Sequence, residues 1–417
     1  MQILYRAFIG AYVLAIRCSA VLGNRKASQW LEGRRNLLQR LATLPGGEKR
    51  IWFHCSSLGE FEQGRPLIER MKAEFPGMKI VLTFFSPSGY EVRKGYSGAD
   101  YVFYMPSDSV RNAEAFIRHV NPALVFFVKY DYWYYFLREL YRNEIPVCVV
   151  SAIFRKEQVF FKWYGSFFRK MLRLVTLFFV QDESSAAMLD GIGVRNHVVS
   201  GDTRFDRVVA AAVEPKPVDL RDGFSGTNVI VAGSTWPEDE KLLREVLAAF
   251  PSLKMILAPH EVSNERTRQL RELFPGATLF SEMQGREFTE RIMLVDTMGL
   301  LSSLYRFGGY AYIGGGFGKG IHNTLEAAVY GKPVFFGTQY HKFREATELV
   351  AAGGAVSIRD SGEMISRMKE LMQDADRYEN CCRASAAYVA KNAGATGRIM
   401  AWLKSHPGGI SIIPPGN

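Results

Sequence analysis

Short apolar runs alternate with longer stretches in which apolar side chains recur at helical spacing, and the alternation begins at residue 51. The runs cover 51–55, 79–84, 123–128, 147–153 and 175–180. Strands alternating with helices in this way predict βαβ units around a parallel sheet. The pattern pauses over 204–227, where Pro215, Pro217 and Gly223 mark a linker, and then restarts with runs at 228–233, 254–258, 291–295, 310–313 and 333–336. The simplest architecture is therefore α/β, with two Rossmann-like halves facing across a cleft at 41–205 and 206–417. In open sheets of this kind ligands lie beyond the carboxyl ends of the strands, so the turns there are where chemistry is sought.

Ahead of the first run, residues 3–22 are apolar, but Arg6 and Arg17 confine the uninterrupted stretch to 7–16. A membrane crossing needs about 20 apolar residues. Arginines near helix ends snorkel, so a tilted span and an interfacial helix both fit, and the segment 1–40 is expected to be a retained anchor with its basic flank. The flank is Arg25, Lys26, Arg34, Arg35 and Arg40, and it fits the cytoplasmic side of a membrane better than the cleavage region of a secretory signal. A second stretch, 160–179, interleaves aromatics with Lys162, Arg169, Lys170 and Arg173. It reads equally as an interfacial helix or as a core helix followed by a strand.

Composition narrows the picture in three ways. At 417 residues the chain outgrows a single core, since cores stop growing near roughly 250 to 300 residues. With 52 Lys plus Arg against 42 Asp plus Glu, the net charge of +10 favours an anionic partner. No finger, zipper or RNA-binding signature accompanies it, so nucleic acid is not the expected partner. The five cysteines form neither a disulfide framework nor a metal-ligand spacing, which points to reduced thiols and no bound metal.

Several turns could carry chemistry. The first run leads into Ser56-Ser57-Leu58-Gly59-Glu60, where Ser57 and Glu60 have capping-box spacing and Glu60 could equally serve as a proton acceptor beyond the strand. Ser86-Pro87-Ser88-Gly89 could offer hydroxyls to a phosphate or simply turn the chain. Lys129 and Asp131 stand among aromatics after the run 123–128, a setting suited to sugar or phosphate contacts. In the second half, Gly233-Ser234-Thr235 precedes an acidic helix start and could bind phosphate through backbone amides. The most specific segment is 314–328. Its glycines, Gly315 and Gly316 among them, let backbone approach an anion, and the helix expected to follow would add a positive dipole end. His322, Asn323 and Thr324 would face a nucleotide phosphate, and Glu326 would accept from ribose hydroxyls. Gly-Lys-Ser/Thr is absent, which argues against a phosphate-binding loop of the Walker type.

These blocks, in this order, resemble the Kdo (3-deoxy-D-manno-octulosonic acid) transferase family of lipopolysaccharide biosynthesis. The similarity runs through Ser56 to Glu60, Pro87-Ser88-Gly89, Asp131-Tyr132-Trp133, Ile145-Pro146-Val147, Gly233-Ser234-Thr235, Asp296-Thr297-Met298-Gly299, the His322-Asn323 loop and Gly331-Lys332-Pro333. The resemblance implies a GT-B fold and metal-independent, inverting transfer of Kdo from CMP-Kdo to a lipid A precursor, lipid IVA, at the cytoplasmic face of the bacterial inner membrane. No cofactor is implied. Glu60 matches the family's general base, with Asp131 beside it. Ser57, Gly59, Ser86, Ser88 and Lys129 would meet the acceptor. Gly233, Ser234, Thr235, His260, Gly315, Gly316, His322, Asn323, Thr324 and Glu326 would hold the donor. In two places the chain departs from the family. Lys129 and Asp131 stand where the family has paired glutamates, and Ala258-Pro259-His260 lacks the family's arginine, for which Lys319 or Arg204 could substitute. A nucleotide-sugar 2-epimerase, another GT-B transferase and a non-catalytic lipid-binding scaffold are the alternatives.

Overall fold

A computed structural model describes residues 1–406 apart from 219, 221–223 and 284–289. The chain forms two compact units, one made of 1–207 together with 394–406 and the other of 208–393.

The first unit is built on seven parallel strands: β1 Arg50–Cys55, β2 Lys79–Phe84, β3 Tyr101–Tyr104, β4 Pro122–Val128, β5 Val147–Ala152, β6 Leu177–Val180 and β7 His197–Val199. Their order is β3-β2-β1-β4-β5-β6-β7, so the direction of winding reverses between β1 and β4. Alternate residues of β1 enter opposite cores. Trp52 joins Val81, Val125 and Phe127 on one face, while Ile51 and Phe53 join Leu82, Phe126 and the helix residues Leu67, Ile68 and Met71 on the other. A sheet covered on both faces needs unbroken apolar strands, which is the pattern the sequence carries.

The second unit repeats the plan with β8 Gly226–Thr235, β9 Lys254–Pro259, β10 Thr278–Leu279, β11 Ile292–Leu294, β12 Gly308–Ile313, β13 Val334–Phe336 and β14 Ala355–Ser357. Its order is β10-β11-β9-β8-β12-β13-β14, with the reversal between β8 and β12.

Two local expectations need correction, and one open alternative is resolved. The stretch read as a linker begins as helix Thr203–Val213, and positions 219 and 221–223 of it lie outside the described residues. The helix Ala395–Ser405 packs on the first unit rather than the second, because Ile399, Met400 and Leu403 complete the core beneath helix Leu58–Glu74. Within 160–179, the helix Ser166–Leu172 and β6 are core elements, with Phe160, Phe167, Met171 and Leu172 buried. Only Trp163, 91% exposed, and Tyr164 stand out from that stretch as large apolar surface.

Helix Gln2–Val21 is the one helix among the described residues long and apolar enough to cross a membrane. Its Tyr5 reaches into the first unit, where the hydroxyl donates to Asp108 at 2.5 Å and the ring packs on Tyr134, Tyr135 and Phe167. Ile3, Leu4, Phe8 and Leu14 remain exposed.

Candidate functional site

Both strand-order reversals coincide with the residues singled out from sequence, as the rule for open sheets requires. At the first, β1 and β4 are paired neighbours and their carboxyl ends lead into the turns carrying Glu60 and Asp131. Ser57 caps helix Leu58–Glu74. Its Oγ accepts from the Glu60 N–H at 3.4 Å, and the Glu60 carboxylate accepts from the Ser57 N–H at 3.1 Å. The capping box and the chemical reading are thus compatible: the cap fixes Glu60 at the strand's end rather than behind the sheet.

Burial first, then the negative charge of Asp131, push the Glu60 carboxyl up to about 8, against the pull of the Ser56 and Ser57 amides and Lys129. A carboxylate with affinity for a proton near neutral pH is suited to general-base work. Lys129 holds a left-handed backbone at φ 70°, unusual for a residue with a side chain, and its N–H donates to the Val150 carbonyl at 2.9 Å. Ser86 caps the helix Pro87–Arg93, and its N–H donates to the Ser56 carbonyl at 2.7 Å, so it braces the Glu60 turn. The Ser88 hydroxyl lies 3.0 Å from that of Ser86, and a side chain at Gly59 would meet only the Ser57 Oγ, at 3.9 Å. The hydroxyls of Ser57 and Ser86 are therefore engaged in capping.

At the second reversal the turns after β8 and β12 are tied together by Asp239, which the sequence reading passed over as one acid in a helix start. Its carboxylate accepts from the Trp236 N–H at 2.9 Å, the Gly315 N–H at 2.9 Å and the Tyr312 hydroxyl at 2.7 Å. The Gly315 amide is thereby spent inside the protein rather than offered to an anion. The glycines answer to packing instead. A side chain at Gly314 would strike the Ser234 carbonyl at 2.3 Å, and one at Gly316 would strike the Gly337 amide nitrogen at 2.4 Å. The helix expected after the loop is present as Leu325–Ala328, but a single turn sums few peptide dipoles and adds little positive end.

Three rings stack above these turns. Trp236 lies on His260 at 4.6 Å and His260 on His322 at 4.4 Å, while the Trp236 indole N–H donates to His322 Nε2 at 3.2 Å. Burial, then His260, push the His322 ring down to about 4, so it is a neutral group whose Nδ1 carries the proton. The Asn323 side-chain oxygen accepts from the Leu325 N–H at 3.1 Å, and its amide donates to Glu326 at 3.1 Å. Thr235 is turned inward, its hydroxyl donating to Glu240 at 2.9 Å, and Gly233 abuts the Tyr305 hydroxyl. Ser234 keeps a left-handed φ of 54°, and the Thr324 hydroxyl is buried with no partner. Of the two cations considered, Lys319 is exposed on the glycine loop itself, whereas Arg204 lies in the first unit and is paired with Asp202 at 2.8 Å. Among the described residues no group of three or more His, Cys, Asp or Glu is disposed to hold a metal ion.

Comparison with known proteins adds an independent line. A family profile described as 3-deoxy-D-manno-octulosonic-acid transferase (kdotransferase) matches residues 34–207. The 3-deoxy-D-manno-octulosonic acid transferase of Aquifex aeolicus is 25% identical over 332 residues, 77% of this chain and 86% of that one. The transferase of the same name from Haemophilus influenzae is 25% identical over 374 residues, covering 85% and 87%. Among solved structures, a UDP-N-acetylglucosamine 2-epimerase from Listeria monocytogenes aligns with a TM-score of 0.61 at 15% identity, over 89% of this chain and 99% of that one. A calicheamicin glycosyltransferase aligns with a TM-score of 0.57 at 12% identity, over 86% and 99%. At such identities these two likenesses speak to the fold alone, which is of the GT-B type.

Proposed function

Because the chain is a relative of the Kdo transferases along most of its length, we propose that it transfers Kdo from CMP-Kdo to a lipid A precursor, lipid IVA, with inversion. The observation that carries this reading is the acid pair at the β1/β4 reversal: a capped, buried Glu60 whose proton affinity is raised beside Asp131. Glu60 takes the proton from an acceptor sugar hydroxyl, the oxygen attacks the anomeric carbon of Kdo, and the bond to the CMP phosphate breaks. One displacement inverts the centre, and no covalent enzyme intermediate forms.

The second unit holds the donor. His322 donates from Nδ1 as a neutral group, the ring stack offers a flat apolar face, and Lys319 supplies the cation that the Ala258-Pro259-His260 turn lacks. Thr235 and Gly315 act through the architecture, since their polar groups are engaged within the protein. In the first unit Lys129 contributes positive charge beside the acid pair. The exposed apolar side of helix Gln2–Val21 supports contact with a lipid surface at the cytoplasmic face, where such an acceptor would be met.

The deciding experiment incubates the purified chain with CMP-Kdo and lipid IVA and weighs the lipid product. One or more added Kdo masses are expected, and their number reports how many sugars are transferred. An unchanged lipid with CMP-Kdo intact, from folded protein, overturns the proposal.

A further inference from the structure

β1 brings a histidine to the acid pair from inside the sheet. His54 is fully buried, one residue before the end of β1, with Nδ1 2.9 Å from Thr83 Oγ1 on the adjacent β2. That hydroxyl already accepts from the Trp52 indole N–H at 2.7 Å. Indole only donates, so the Thr83 proton must go elsewhere. Within reach are His54 Nδ1 and, at 3.4 Å, the Phe53 carbonyl. The shorter contact is the better hydrogen bond, and it leaves the ring proton of His54 on Nε2. That nitrogen stands 3.4 Å from Asp131 Oδ2, and both atoms are buried with no hydrogen-bond partner of their own. A buried donor and a buried acceptor left unmade are costly, and a movement of a few tenths of an ångström joins them.

We infer that His54 is a positioning residue for the acid pair: held by the Trp52–Thr83 relay with its proton on Nε2, it fixes the Asp131 carboxylate so that its charge faces Glu60. The inference rests on the reading of Glu60 as the base. Other groups around Glu60 are Cys55 on β1, together with Lys129 and Tyr130 on the β4 turn, and Arg155 and Arg204 act on Tyr130. None of them reaches Asp131 Oδ2 with a hydrogen bond. His54 is the group placed to do so.

The tests separate this inference from the transferase reading. In the full chain labelled with 15N at histidine, the His54 signal, identified by its loss in His54→Gln, should show the Nε2–H tautomer without any substrate present. An Nδ1–H tautomer overturns the relay. Thr83→Val, close in shape but without the hydroxyl, should release the tautomer while leaving the fold intact by circular dichroism. In the activity assay, His54→Leu should move the acid limb of the pH–kcat profile to lower pH by roughly one unit, because the Asp131 charge no longer faces Glu60. His54→Gln, which keeps a donor near the Nε2 position, should restore most of the shift. A His54→Leu protein with a wild-type limb refutes the positioning role. Absence of any Kdo transfer refutes only the function proposed above and leaves the tautomer measurement standing.

Discussion

The two strand-order reversals occupy equivalent places in their sheets yet are furnished in opposite ways. At β1/β4 the chain gathers titratable groups and leaves polar atoms unsatisfied: Glu60 is pushed up beside Asp131, and His54 Nε2 and Asp131 Oδ2 lack partners. At β8/β12 it gathers glycines and stacked rings, with Asp239 tying the two turns together. Topology supplies the same place beyond the strand ends in both cases, and on the proposed function the side chains make one a site of proton transfer and the other a site for an anion. Thr324 leaves one buried hydroxyl unmatched at β8/β12 as well, but only at β1/β4 are the unmatched atoms on titratable groups, and that half is the one expected to react.

The contrast can be broken most decisively at Glu60. Glu60→Gln should lower turnover on the order of a thousandfold, while the thermal midpoint barely moves, because glutamine also serves at the third position of a capping box. An active variant would erase the distinction between the halves. In the tied half, Asp239→Ala removes the partner of two buried donors and one half-buried donor and should cost about 3 kcal/mol of stability, read from the denaturant midpoint. A neutral result would mean that the knot is ornamental.

A smaller, signed effect belongs to Asp131. Its negative charge raises the Glu60 carboxyl, so in Asp131→Asn the proton leaves Glu60 at lower pH and the acid limb of the rate profile slides downward by roughly one unit. A limb moving upward would place the control of Glu60 elsewhere. The smallest change is expected at His322. Pushed down to about 4, the ring stays neutral, so the dissociation constant for CMP-Kdo measured calorimetrically should be flat between about pH 6 and about pH 8. A break near the usual histidine range would undo the neutral-ring half of the comparison.

The sequence made the interior strands legible and the borders not. The four strands absent from the apolar pattern, β3, β7, β10 and β14, are the outermost members of the two sheets. They are two to four residues long and partly exposed; β7, β10 and β14 are too short to carry a run of the length the interior strands show, and β3, Tyr101–Tyr104, is apolar throughout but was missed. Site residues were legible as positions, because turns after buried strands can be found from periodicity. Their partners were not. Asp239, His54 and Thr83 look like ordinary members of a helix start and two strands, and only pairing across the sheets reveals the contacts they make. The helix expected after the glycine loop is present but only one turn long, Leu325–Ala328, and its shortness was not legible: the loop closes on itself, with the amides of Gly318 and Gly320 donating to the Gly315 carbonyl.

The return of helix Ala395–Ser405 to the first unit sets the timing of biosynthesis. Arg398 donates to the Ser200 carbonyl, the amides of Gly394 and Thr396 meet Asp206, and Ile399 and Leu403 plug the space under helix Leu58–Glu74. The unit translated first is therefore sealed last, by residues made after those of the other unit, and a chain lacking residues 395–405 would leave the first core open under helix Leu58–Glu74.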